Sequence, residues 1–318
     1  MSLNNFLKLI QNELIKIYRL KSTWAMYVIL AIIIIGVGIL GKVYGDYATY
    51  EEDTWQQTLE TENAALIEES DEFPGIEGFN NSIIEKNNYY LENDVMPASY
   101  GAWQFVMENQ MLLSLVSLFT IIIAAGIIAN EFRWGTIKLL LIRPISRTKI
   151  LAAKYSSVLI FSFATAILVL LFSWIVGGIL LGFDGINPHI VLEKETGLEY
   201  VSVIREIVTS YGFSLVNLLM MATFAFMISA VFRNSALAIG LAIFLMFAGN
   251  QIVFFFLERD WAKYILFANT DLTQYFNGNT PMMEGMTLGF SITVLIVYYI
   301  IFAALAWFFF TKRDVAGQ

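Results

Sequence analysis

Six long apolar runs dominate the pattern of this chain. They cover residues 24–43, 110–129, 155–181, 211–232, 236–257 and 288–311. A bilayer core of about 30 Å needs roughly 20 residues of helix, and each run supplies that length. The third is long enough to tilt or to extend beyond the core. Their unbroken apolar character predicts membrane-spanning helices, because a buried helix of a soluble domain does not repeat six times at that length. Residues 1–23 follow another rule. Leu3, Phe6, Leu7, Ile10, Leu14, Ile17 and Tyr18 recur at helical spacing, with Lys8, Gln11, Asn12, Lys16 and Arg19 largely between them. That spacing predicts an amphipathic helix lying along the membrane surface ahead of the first span. The expected fold class is an all-α membrane protein, one transmembrane domain over residues 1–318.

Composition agrees with the pattern. The chain is 58% hydrophobic and only 14% charged, too few charges for an ordinary soluble domain. It has no cysteine and a single histidine, His189, which excludes disulfides, thiolate metal sites and multi-histidine sites. A positive start before an apolar run could also be a secretory signal. The run is too long for a signal core, and no small-x-small cleavage site is clear.

Charge sign is segregated. With the N-terminus inside, residues 1–23, 130–154, 233–235 and 312–318 are cytoplasmic. They hold thirteen of the 19 basic residues but three of the 27 acids. The Lys/Arg bias therefore places both termini in the cytoplasm. The loop over 44–109, between spans one and two, is then outside, large and acidic. Two helices are expected in it, Tyr47–Glu69 and Glu77–Glu92, parted by Phe73-Pro-Gly75. It reads either as a solvated helical hairpin or as a recognition surface for a cationic peptide or drug. Asn277-Gly-Asn279 signals a turn in the last outer loop.

Several lookalike motifs carry no chemistry. Gly36-Val-Gly-Ile-Leu-Gly-Lys42 has the spacing of a phosphate-binding loop, but Val43 stands where a Ser or Thr would hold Mg²⁺. Small residues there, and at Gly41, Gly45, Gly178 and Gly182, instead suit close helix approach. Ser146-Arg-Thr-Lys149 lacks the companion motifs of penicillin-binding enzymes. Ionisable groups inside spans usually mark ion paths. The interiors of spans two to six have none, and Asn217, Asn250 and Gln251 remain. These three either hydrogen-bond between helices or line a translocation path. The compact outer cluster Glu258-Arg-Asp260 reads as a helix-end cap. No enzyme activity, metal or nucleic-acid partner is expected.

The segment Glu131–Lys154 stands out. Arg133, Lys138, Arg143, Arg147, Lys149 and Lys154 surround an apolar Leu139-Leu-Leu-Ile142. Pro144 breaks a first helix over Phe132–Ile142, because the residue before proline avoids the helical region. Ser146 can cap a second helix. Glu131, Gly135-Thr136, Leu139-Leu140, Arg143-Pro144, Ser146-Arg147 and Lys154 resemble the signature of ABC-2 type transporter permeases, and the six-span layout fits most of the chain. The resemblance implies a permease subunit without its own nucleotide site. In it, 1–23 would be an elbow helix, and 130–154 a coupling loop docked on separate ATPase subunits that hold ATP and Mg²⁺. Glu131, Arg133, Gly135, Thr136, Arg143, Pro144 and Arg147 would form the coupling site. Glu131 would anchor it, Arg143 and Arg147 would pair with acids of the ATPase, and Pro144 would set the turn. A second permease, identical or homologous, would complete an exporter of an amphipathic compound, peptide antibiotic or drug. The competing reading is a non-transporting immunity or sensor protein that binds a cationic toxin through the acidic loop. A membrane enzyme acting on lipid carriers would need a richer charged cluster than 258–260.

Overall fold

The computed structural model describes residues 3–45, 47, 50–137, 145–183, 185–194, 197–232, 234–276 and 279–312. Eleven α-helices and one β-hairpin are found among them, with four short 3-10 turns. They are α1 (Leu3–Arg19), α2 (Lys21–Tyr44), α3 (Trp55–Glu72), α4 (Glu77–Glu92), α5 (Ala102–Glu108), α6 (Leu113–Arg133) and α7 (Arg147–Leu180). Strands β1 (His189–Lys194) and β2 (Gly197–Ser202) follow, then α8 (Val203–Phe232), α9 (Ser235–Phe255), the short α10 (Leu266–Asn269) and α11 (Leu288–Lys312). Six of the described helical stretches are long and apolar enough to cross a membrane. They are α2, α5–α6 taken together, α7, α8, α9 and α11. The protein is a multi-pass membrane protein with a basic end and an acidic end.

The bundle is built around α6 and α8, whose apolar windows are the most enclosed. Ser229 of α8, fully buried, donates to the Ala125 carbonyl (2.6 Å) and accepts from the Ile128 and Ala129 amides. Hydrogen bonds of this type hold helices where the hydrophobic effect cannot, since lipid is as apolar as the side chains. Helix α2 packs only one stripe inward, Met26, Leu30, Ile34 and Gly38 at helical spacing. A side chain at Gly38 would meet Leu180 and Val176, and one at Gly177 would meet Ala102 and Phe105. Close helix approach is therefore made by Gly38 and Gly177. The pairs Gly41/Gly45 and Gly178/Gly182, expected in that role, do otherwise. Gly41 and Gly45 face the Tyr47 ring, Gly178 faces the Phe183 ring, and Gly182 has φ +93°.

Helix α7 has 34 residues, about 50 Å against a bilayer core of about 30 Å. It begins at Arg147, so residues 147–154 are its first turns rather than loop. Ser146 occupies the N-cap position, but its side chain makes no capping bond, and its carbonyl accepts from Lys149 and Ile150. The helix expected over Phe132–Ile142 is interrupted. Helix α6 stops at Arg133, and Gly135 has φ +70°, a left-handed conformation that glycine adopts without the Cβ penalty. Residues 138–144, with Lys138, Arg143 and Pro144, lie outside the described residues. So do Arg233 and the Asn277-Gly278 pair.

At the acidic end, α3 and α4 form a hairpin around the Pro74–Ile76 turn. Helix α3 starts at Trp55, later than the sequence pattern suggests. Few apolar residues join the two helices, and carboxamides do so instead. Asn63 donates to Asn88 (3.0 Å), Asn87 donates to Asn63 (2.9 Å), and Asn80 donates to the Leu66 carbonyl (3.2 Å). The antiparallel hairpin β1–β2 departs from an all-α reading. Its Val191 amide donates to the Tyr90 hydroxyl of α4 (2.8 Å), and Trp55, Leu59, Tyr90 and Val191 make one small core. Lys194 pairs with Glu206 (2.8 Å) and lies over the Phe276 ring. Three loops distant in sequence thus form one lid.

Candidate functional site

The basic end carries a concentration of buried charge. Helix α1 turns into α2 at Leu20, whose backbone is extended. Thr23 closes the corner by donating to the Ile17 carbonyl (2.7 Å), which also accepts from the Leu20 amide at the helix C-terminus. This geometry lays α1 along α7, where Ser157 donates to the Ile10 carbonyl (3.2 Å). The buried residues of α1 are Ile10, Glu13 and Ile17. A carboxylate is therefore carried inward by the apolar stripe.

Four side chains from three helices meet there. Lys154 of α7 is 1% exposed and donates to Glu13 Oε2 (2.8 Å), Glu131 Oε1 (2.9 Å) and the Ile127 carbonyl (3.2 Å). All three ammonium protons have acceptors, which a buried lysine requires. Lys16 of α1, half exposed, donates to Glu13 Oε1 (2.8 Å) and Glu131 Oε1 (2.9 Å). Each ammonium bridges both carboxylates, so the four charges alternate in sign and cancel. Thr136 donates to the remaining Glu131 oxygen. Glu131 lies in the last turn of α6, where the helix dipole disfavours an anion. The two lysines reverse that penalty. Burial opposes the charge on Lys16, but its hydrogen bonds to Glu13 and Glu131 prevail and hold it above its ordinary value of 10.5.

Two cavities flank the quartet. One of about 290 Å³ lies between α1, α6 and α9. Another of about 570 Å³ lies between α1, the start of α7 and residues 134–136. Arg147 donates to the Thr311 carbonyl (3.1 Å), and Trp307 of α11 donates to Thr148 (3.1 Å), tying α7 to the end of α11. Among the expected coupling residues, Glu131 and Thr136 thus join the quartet. Arg133 and Gly135 lie on the exposed turn beside it, and Arg147 turns toward α11. Arg143 and Pro144 are outside the described residues.

The expected path-lining residues do not converge. Asn250 and Gln251 are exposed on α9, while Asn217 is half-buried in α8 with its Oδ1 unpartnered. Sequence reasoning missed Glu13 and Lys16 as site residues. The available signal was an acid inside the Ile10–Ile17 stripe with a base three residues on.

Residues 76–316 match the model of the family described as Protein of unknown function (DUF2705). The chain is 42% identical over 316 residues to "Uncharacterized protein YhcI" of Bacillus subtilis (strain 168), covering 98% of this chain and all of that protein. It is 36% identical over 203 residues to "Uncharacterized membrane protein YdbK" of the same organism, covering 63% of this chain and 78% of that one. The family found is not that of the ABC-2 type permeases, so the assignment drawn from the Glu131–Lys154 motif is corrected. Its elements are ones that any basic turn between two spans collects. A glycine ends α6, a proline precedes α7 in the sequence, and arginines and lysines follow the charge bias. Two of its charged positions, Glu131 and Lys154, are occupied in holding the bundle together.

Proposed function

The chain belongs to the DUF2705 family, and from the geometry of its basic end we propose that it is the membrane-spanning subunit of a transporter driven by a separate cytoplasmic ATPase. The observation that carries the reading is the quartet Glu13–Lys16–Glu131–Lys154 immediately beneath the basic turn after α6. Shearing α1, α6 and α7 against one another would strand buried charges, so the three move as one body. A push on the turn from a soluble partner would be passed to two spans and to α1 together. Ionisable groups in the long helices lie toward their ends among the described residues, which favours an external energy source over an ion path.

In this reading the basic end faces the cytoplasm with both termini, and α1 is an elbow lying in the inner interface. ATP and Mg²⁺ are held by the partner ATPase, and this chain has no enzymatic step of its own. A second permease, identical or homologous, completes the path. The cargo is an amphipathic compound leaving the cell.

The test is purification in mild detergent from the native membrane, followed by ATP-dependent uptake of an amphipathic dye into inverted vesicles. We expect an ATP-hydrolysing subunit to accompany the chain, and both its recovery and dye uptake to be lost with Glu131→Lys. Intact protein that brings no ATPase, in vesicles without ATP-driven uptake, would overturn the reading. It would turn attention to the joined lid as a toxin-binding surface.

A further inference from the structure

The cavity between α1, α6 and α9 is divided by chemistry. Ile17, Leu20, Ile122, Ile123, Ile127 and Ile239 make one wall. The polar part of the lining, its rim, holds Lys16, Ser22, Asn130, Arg133 and Trp134. The two acids that also reach it, Glu13 and Glu131, are each bonded to both Lys16 and Lys154. Since those four charges cancel, the exposed Arg133 leaves the rim positive. Exposed Trp24 and Trp134 stand at the same end of the bundle, as tryptophans do at the level of lipid headgroups. Helix α1 also leaves Leu3, Leu7, Ile15 and Leu20 uncovered, an apolar edge suited to lying in an interface.

From this juxtaposition we propose that the cavity is a binding site for an anionic phospholipid of the leaflet at the basic end. Its phosphate is taken by Lys16 and Arg133, and an acyl chain lies along the isoleucine wall. The chemistry selects an amphiphile, because a free anion would leave the apolar wall unfilled and a neutral lipid would leave Arg133 unmatched. The phosphate shares the half-exposed Lys16 ammonium with Glu13 and Glu131, so bound lipid bears directly on the quartet. The proposal stands independently of the transport reading.

The experiment is native mass spectrometry of the full chain, delipidated in detergent and titrated with phosphatidylglycerol, phosphatidylcholine or inorganic phosphate. Phosphatidylglycerol should be retained at least tenfold better than phosphatidylcholine, and equimolar inorganic phosphate should not displace it. Arg133→Ser should bring phosphatidylglycerol down to the phosphatidylcholine level. Ile239→Trp, which fills the cavity, should reduce retention of both lipids tenfold at an unchanged melting midpoint. Ile122→Trp serves instead if that midpoint shifts. Equal retention of the two lipids, displacement by inorganic phosphate, or wild-type retention in the variants would each overturn the site.

Discussion

The two ends of this protein solve the same problem, joining segments distant in sequence, with opposite chemistry. At the basic end, α1, α6 and α7 are joined by four full charges withdrawn from water. At the acidic end, where charge is far more abundant, the joints between α3, α4 and β1 are made by uncharged donors, two of which also reach the Glu62 and Glu69 carboxylates. The joints are carboxamide pairs, a tyrosine hydroxyl and a small aromatic core. The difference teaches where charge can carry structure. Alternating signs can be buried together because each ammonium finds two carboxylates. A surface of one sign cannot pair with itself, so its carboxylates stay in water or are met by uncharged amides, with the Lys194–Glu206 pair at its edge.

This contrast predicts a graded response to substitution. Lys154→Met should have the largest effect. It leaves two buried carboxylates with one half-exposed lysine, a loss of about 3–5 kcal/mol that appears as a lower melting midpoint in detergent. Adding Glu131→Gln rebalances the charge and should recover much of the loss. A single variant that melts with the wild type would end the argument that the basic end is held by charge.

Next is the docking of α1. The protein has no cysteine, so Ile17→Cys is a clean reporter at a position that is 3% exposed. Maleimide labelling should be slow in that background and about tenfold or more faster when Glu131→Lys is added, as local opening becomes easy. Equal labelling rates would show that apolar packing alone seats α1.

Tyr90→Phe should cost the lid about 1 kcal/mol and raise hydrogen exchange at the Val191 amide, without changing α1 labelling. Burial pushes the Tyr90 hydroxyl from its ordinary 10.0 up to about 12, against the opposing effect of the Val191 amide. The folded lid therefore keeps a proton that the unfolded chain releases near pH 10. Its stability should hold below that pH and fall as pH rises from 10 to 12. Lys16, raised above 10.5, acts in the same direction. Its contribution is complete below 10.5 and is lost as pH rises through its folded value. Lid exchange that changes between pH 6 and 9 would point to groups other than Tyr90.

The smallest effects belong to the lid's surface. Asn63→Ala removes two amide bonds, yet Asn87 keeps its contact to Glu62, so about 0.5–1.5 kcal/mol is expected from chemical denaturation. The exposed Glu60→Gln should fall within about 0.5 kcal/mol of wild type. A larger effect there would show that the acids, and not the amides, shape the lid.

The long apolar helices were legible because a span needs only local composition. The amphipathic α1 was legible because its period is local too. The quartet was not. The pairs that tie α1 to α6 and α7 bridge 115 and 141 residues, and the local Glu13–Lys16 spacing does not state which distant partner either one meets. Glu13 sat in plain view inside the Ile10–Ile17 stripe and was counted only as a minority acid. The β1–β2 hairpin was missed because its half-exposed strands alternate weakly and follow a helix of unusual length. Asn217, Asn250 and Gln251 are polar positions on long apolar helices. Only rotation about the helix axis decides what each faces, and it sends Asn250 and Gln251 outward.

By itself, then, the sequence determined that this chain lives in a membrane, how many helices are able to cross it, and how charge sign divides between the two ends. Lipid imposes those features residue by residue, through transfer free energy and the need to satisfy every backbone hydrogen bond. Tertiary structure decided which charges are buried, which loops join into a lid, and that α1 is tied to α6 and α7 rather than only floating beside them. Those outcomes depend on pairing between distant residues, and the stabilisation of a buried charge exists only once its partner has arrived.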